Sequence, residues 1–105
     1  MEKDSAINQA WDQYRQGQTR EAAGSFSRII QGNAAYLDAH YGLGLAERQN
    51  GNMSASENAF RRALELAREA KVVEENRTDG KAEPERYLML IRMIRQRLME
   101  IGAQA

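Results

Sequence analysis

The chain repeats itself at a spacing of 34 residues. Gly17 recurs as Gly51, Phe26 as Phe60, Arg28 as Arg62 and Ile30 as Leu64. Asp4 recurs as Asp38, and Gln16 and Gln18, which flank the first glycine, become Asn50 and Asn52. A fixed period of this size marks stacked supersecondary units, each too small to bury its apolar face alone. The architecture is therefore constrained before any single residue is considered. The ligand is not.

Within each period the pattern is helical. A single proline, few β-branched residues and abundant Ala, Glu, Arg, Gln and Leu favour helix throughout. The punctuation predicts five helices. The first runs from about Ser5 to Gln16, with Asp4 or Ser5 as N-cap and Gly17 as its stop. The second begins near Thr19 and ends before Gly32-Asn33. Its central Gly24 costs about 1 kcal/mol relative to Ala, which a close backbone contact would justify. The third covers about Ala35 to Gln49 and closes on Asn50-Gly51. The fourth opens on Ser54-Ala55-Ser56-Glu57, a capping-box pattern, and runs to about Glu75. Thr78-Asp79-Gly80-Lys81 reads as a solvated turn within a loop over 76–83. The fifth starts at Pro84, a good first-turn residue, and covers 84–101.

Helix, glycine turn, helix and a 34-residue period resemble the tetratricopeptide repeat. Leu43-Gly44 resembles that family's Leu-Gly pair, Gly51 its turn glycine, and Ser56 with Phe60 its small residue followed by an aromatic. In the first unit Ala10, Gly17, Ala22 and Phe26 stand at the corresponding places. Departures are visible as well. Ala6 and His40 hold the early aromatic position, Gln13 and Glu47 the tyrosine position, and Ala34 and Arg68 that of the closing proline. The resemblance implies a single domain, a right-handed all-α solenoid of antiparallel helix pairs. Repeat 1 spans about 3–36 and repeat 2 about 37–70, with its second helix extended to about 75. A capping helix follows the loop. About three repeats are usually needed for stability, so the last helix must supply the missing burial.

The same resemblance implies a concave groove that binds a peptide or partner helix. It places Ile7, Asn8, Trp11, Tyr14 and Arg15 on that surface in the first unit. Asp38, Tyr41, Leu45 and Arg48 follow in the second, and Leu88, Arg92, Arg95 and Met99 on the last helix. Trp and Tyr beside Arg are the composition of binding hot spots. Trp11 fits the groove and the core equally well. A C-terminal carboxylate clamp is disfavoured, because its Lys and Asn positions hold Ile7, Trp11 and Gly42. Around the last helix, Tyr87, Leu90, Ile91, Ile94, Leu98 and Ile101 form the core stripe. Leu88, Met89, Met93 and Met99 add more apolar surface than a solvating cap needs, which makes a homodimer or assembly role the alternative expectation.

Bulk chemistry narrows the classes. Fifteen basic residues, mostly Arg, balance fifteen acidic ones, so no global basic field points to nucleic acid. There is no cysteine, which removes thiol catalysis and thiolate metal sites and fits a reducing compartment. No stretch is long or apolar enough for a bilayer, and the polar start does not resemble a signal peptide. The expectation is a cytoplasmic, non-enzymatic protein with no cofactor or metal. His40, the lone histidine, reads as a general base or ligand only if partners exist, and as a packing residue otherwise. Asp38 cannot orient it, because residues two apart on a helix do not face each other. Gly42-Leu43-Gly44 superficially resembles a phosphate loop but lacks the third glycine and the preceding strand.

Overall fold

The two phenylalanines of the repeat need somewhere to go, and the third helix provides it on two sides. A computed structural model describes residues 2–103, with side chains from residue 5 onward. It contains α1 (Glu2–Arg15), α2 (Thr19–Gly32), α3 (Leu37–Gln49), α4 (Met53–Glu75) and α5 (Pro84–Glu100), with no strand among the described residues. The fold is an all-α solenoid, in which each helix packs chiefly on its chain neighbours. Beyond that, α1 meets α3 along a narrow seam. The molecule measures 42 × 37 × 21 Å. Its thinnest dimension is about two helix diameters of roughly 10 Å, as two layers of helices require.

Phe26 and Phe60 are both fully buried. A Cβ on Gly42 would overlap the Phe26 ring, and one on Gly44 would stand 2.5 Å from Phe60 Cε1. Residues two apart on a helix point about 200° from one another. The glycines therefore open opposite flanks of α3, one to a ring from α2 and the other to a ring from α4. Ser56 reinforces the second contact: its buried hydroxyl donates to the Gly44 carbonyl at 2.7 Å. What resembled a phosphate loop is a double seat for aromatic rings. At Gly24, where a close backbone contact was expected, an added Cβ would meet only Arg28 Nη1, at 3.6 Å.

Two apolar clusters result. One joins Ile7, Ala10, Ala22, Phe26, Ala39 and Ala46. The other joins Leu45, Phe60, Leu64, Ile91, Ile94 and Leu98. Trp11 and Tyr14 pack against both. A polar latch ties the first turn to the second: Thr19 Oγ1 donates to Asn50 Oδ1 at 2.7 Å, and Asn50 Nδ2 returns a bond to the Thr19 carbonyl at 3.2 Å.

The ends of α1, α3 and α5 are built alike. Two residues past each helix stands a glycine at positive φ: Gly17 at 83°, Gly51 at 82° and Gly102 at 82°. The amide after each glycine reaches back to a carbonyl five residues earlier, from Gln18 to Gln13, Asn52 to Glu47 and Ala103 to Leu98, each at 2.9 Å. This is the Schellman closure. It marks α5 as a third helix of the α1 and α3 type.

Helix starts differ from the sequence expectation. α1 already includes Asp4 and Ser5, so neither caps it, and the Asp4 side chain lies outside the described residues. Asn33 Oδ1 accepts the Ala35 amide at 3.2 Å and holds a turn, which delays α3 to Leu37. The capping box of α4 does not form. The helix begins at Met53 with Asn52 as its cap residue, and Glu57 turns away to Arg61 at 2.8 Å. The Thr78–Lys81 segment is a turn around Gly80 at φ 76°. Asp79 accepts the Lys81 amide there, and its bond to Arg77 holds its carboxyl below the usual range.

The two classes of glycine make opposite predictions. Gly44→Ala forces a ring or a helix to move and should destabilise the fold by about 1–3 kcal/mol. Gly24→Ala relieves only chain entropy and should stabilise by about 0.5–1 kcal/mol. Urea unfolding followed by helical circular dichroism measures both.

Candidate functional site

The face shared by α1, α3 and α5 is stitched by polar bonds from one helix to the next. Trp11 Nε1 donates to Asp38 Oδ2 at 3.0 Å, linking α1 to α3. Arg97 Nε donates to Tyr41 Oη at 3.3 Å, and Arg48 Nη1 donates to Glu100 Oε1 at 2.6 Å, linking α3 to α5. Rings lie beneath these bonds. Trp11 stands edge-on to Phe26 at 5.0 Å and to Tyr14 at 5.9 Å, and Tyr41 tilts on Phe60 at 5.7 Å. The indole is neither purely core nor purely groove: its ring packs against the buried Phe26 while its N–H reaches the surface carboxylate.

Glu100 sits between two guanidinium groups. Its carboxyl is held below the usual range, first by the bond from Arg97 and then by that from Arg48. Arg97 is held above its ordinary range, first by the Tyr41 hydroxyl and then by Glu100. The acidic groups of the stitching are thus engaged from within the molecule.

Beside the stitching lies an apolar cleft of about 870 Å³. Leu37 and Asp38 of α3, Leu66 and Ala70 of α4, and Arg86, Tyr87, Met89, Leu90 and Met93 of α5 line it. Met93 continues the surface along α5 to Arg92, Gln96 and Arg97. Met89 is 64 % exposed and Met93 45 %, so the cleft presents thioether surface to solvent.

Several expected groove residues are placed elsewhere. Ile7 and Leu45 are buried in the two clusters, so they shape the floor and offer no surface. Leu88, Arg95 and Met99 fall on the flank of α5 opposite the one that meets α3. The register follows from Ile91, Ile94 and Leu98, which point inward. At about 100° per residue, this puts Leu90, Met93, Arg97 and Glu100 on the α3 side. The four residues expected to form one self-association patch are divided accordingly, Met89 and Met93 at the cleft, Leu88 and Met99 on the far flank. Trp11, Asp38, Tyr41 and Arg48 are hydrogen-bonded on the shared face, and Tyr14 is half-buried there with its ring against Trp11. Arg92 lies beside Met93. Arg97 and Glu100 were missed. Their i,i+3 spacing was a signal of mutual pairing, but nothing in the sequence told which neighbouring helix they faced.

His40 is buried, and its Nε2–H donates to the Ala34 carbonyl at 2.9 Å. It packs where the repeat pattern has an aromatic. Among the described residues, no three His, Cys, Asp or Glu side chains gather as a metal site would require. No helix among them is long and apolar enough to cross a membrane.

With this geometry in place, the relationship to known proteins is clear at the level of family. The tetratricopeptide repeat model matches residues 7–71, more than half of the chain. The chain belongs to the tetratricopeptide repeat family, whose members generally mediate protein–protein interactions. No curated protein and no solved structure matches it. The matched region contains α2, α3 and most of α1 and α4, while α5 lies beyond it.

The Glu100 contacts carry a pH signature. A carboxyl whose folded pKa is depressed contributes stability above its unfolded value, and loses it as pH falls through the folded value. Glu100→Gln should therefore lower the melting temperature slightly at about pH 7, and the difference should shrink progressively as the pH is taken to about 3, below the ordinary Glu pKa of roughly 4.3. Added salt should shrink the difference. Thermal melts of both proteins at the two pH values measure it.

Proposed function

We propose that the chain is a protein-interaction module that holds a peptide segment along the face of α1, α3 and α5, anchored in the cleft between α3 and α5. The observation that carries this reading is the cleft itself. It combines an exposed methionine wall with tyrosine and arginine at its edge, on a face braced by bonds between helices. Unbranched thioethers adapt to varied side chains, and Tyr and Arg are enriched among binding anchors. The bracing favours binding because little order remains to be imposed on the receptor.

Met93→Ala removes the residue common to both ends of this surface. It should weaken partner binding about tenfold, the loss of an anchor of about 1.4 kcal/mol. The side chain is 45 % exposed, so helicity and melting should stay close to those of the unaltered chain. Recovery of bound proteins from an extract, followed by titration of the recovered partner, measures the effect. Undiminished affinity in a folded variant would exclude the cleft as the anchor.

A second reading rests on the far flank of α5. There Met99 is 63 % exposed, with Leu88 on the same flank. A second copy of the chain could cover this surface. Leu88→Glu together with Met99→Glu should then convert a dimer mass to a monomer mass in light scattering. A monomer before substitution, or a dimer after it, sinks this reading.

A further inference from the structure

The turn between α3 and α4 holds a reactive pair that neither the packing nor the groove uses. Asn50 alone among the asparagines of the chain precedes a glycine. In such a pair the glycine nitrogen can attack the asparagine side-chain carbonyl. The nitrogen gives its proton to water or hydroxide, the N–Cγ bond forms, and the Cγ–Nδ2 bond breaks with loss of ammonia. Water then opens the cyclic imide at either carbonyl, leaving aspartate or its β-linked isomer. One water is consumed for each ammonia released, and no other reactant is needed. Glycine favours the attack because no Cβ shields its nitrogen. Gly51 is exposed, and nothing lies within 4 Å of where its Cβ would stand. The first turn is the internal counterpart. Gly17 has the same backbone as Gly51, with φ 83° against 82°. Gln16 precedes it, and that longer side chain would have to close a larger, slower ring.

The folded turn holds this reaction back. Asn50 Oδ1 accepts the Thr19 hydroxyl at 2.7 Å, while Nδ2 donates to the Thr19 carbonyl and to Glu47 Oε1, each at 3.2 Å. The Gly51 amide points away, donating to the Arg48 carbonyl at 3.1 Å. Asn50 stands at ψ −5°. The Gly51 nitrogen therefore eclipses the Asn50 nitrogen and lies about a third of a turn from Cβ, as the substituents of a tetrahedral carbon are spaced. Ring closure needs it over Cβ. Rotating ψ that far frees the side chain from Thr19 and disturbs the closing bond from Asn52 to the Glu47 carbonyl. We propose that Asn50 is a site of spontaneous deamidation, that the Thr19 latch sets its rate, and that the product cannot re-form the latch. An oxygen in place of Nδ2 would face the Thr19 carbonyl and the Glu47 carboxylate, both acceptors. Its negative charge would also stand at the C-terminal end of α3, where the helix dipole disfavours it. Each conversion thus unfastens the first turn from the second.

The test ages the whole chain in mildly alkaline buffer and locates each conversion by peptide mass spectrometry. Asn50 should convert ahead of Asn52 and Asn58, and Gln16 should stay intact. Thr19→Val removes the hydroxyl of the latch and should speed the Asn50 reaction about two- to tenfold, the worth of one neutral hydrogen bond. In concentrated urea, where the latch is absent from both chains, the two should react at one rate. Ile91→Val costs a similar amount of stability within the cluster of α3, α4 and α5, and should leave the Asn50 rate unchanged. Asn50→Asp should melt below the unaltered chain. Folded chain that converts no faster at Asn50 than at Asn52 overturns the site. An unchanged rate in Thr19→Val, or an equal acceleration in Ile91→Val, overturns control by the latch. An Asn50→Asp chain that melts with the parent overturns the claim that the product unfastens the turns.

Discussion

Everything in this fold leans on the backbone of α3. Two phenylalanines, one from each flanking helix, press where a side chain would otherwise be, and only glycine admits them. An aromatic ring contributes about 1.5–3 kcal/mol when fully buried. Here each ring also fixes how near its helix can come. The glycines stand two apart, so the approaches come from opposite sides. α3 is therefore clasped rather than merely covered, and it contributes to both apolar clusters, which Trp11 and Tyr14 bridge. The glycines lower helix propensity by about 1 kcal/mol each, a cost that the packing offsets.

The groove follows from the same clasp. With α2 and α4 locked to the two flanks of α3, the remaining side of α3 turns toward α1 and α5. There the side chains are polar enough to meet water and long enough to reach across. Trp11 with Asp38, Tyr41 with Arg97 and Arg48 with Glu100 use that reach. Each such pair is weak at an exposed site. Their value lies in fixing the relative placement of three helices that adjoin one another only narrowly. Tyr41 connects the two levels, with its ring on Phe60 and its hydroxyl on Arg97.

Much of this was legible in the residues. The recurrence of Gly17 as Gly51 and of Phe26 as Phe60 announced paired helices, and the loop near Gly80 was visible as a break in pattern. What could not be read was rotation. The apolar stripe of α5 was identified correctly as Ile91, Ile94 and Leu98. Which polar flank then met α3 depended on the crossing between helices, which no single helix encodes. Arg95 and Met99 were assigned to the groove in place of Arg97 and Glu100 for that reason. Ile7 and Leu45 failed differently: the family's groove positions took them for surface, whereas Ile7 is buried in one cluster with the small Ala10 and Ala39, and Leu45 in the other with Phe60, Ile91 and Ile94. Local capping was the least legible. Ser54 and Glu57 satisfy a motif, but an earlier start at Met53 and the nearby Arg61 left it no role.

The three identical helix ends have a further consequence. A glycine two residues beyond α1, α3 and α5 reverses the chain by backbone geometry alone, whatever side chains surround it. It acts as a phase marker, setting where one array of helices stops. The helices between can then vary in length without disturbing that array: α2 has 14 residues and α4 has 23. The extra turns of α4 add Ala70 to the cleft wall, past Leu66 at the repeat's ordinary length. A repeat whose phase is kept by glycine can thus gain a new surface by insertion, without renegotiating its core.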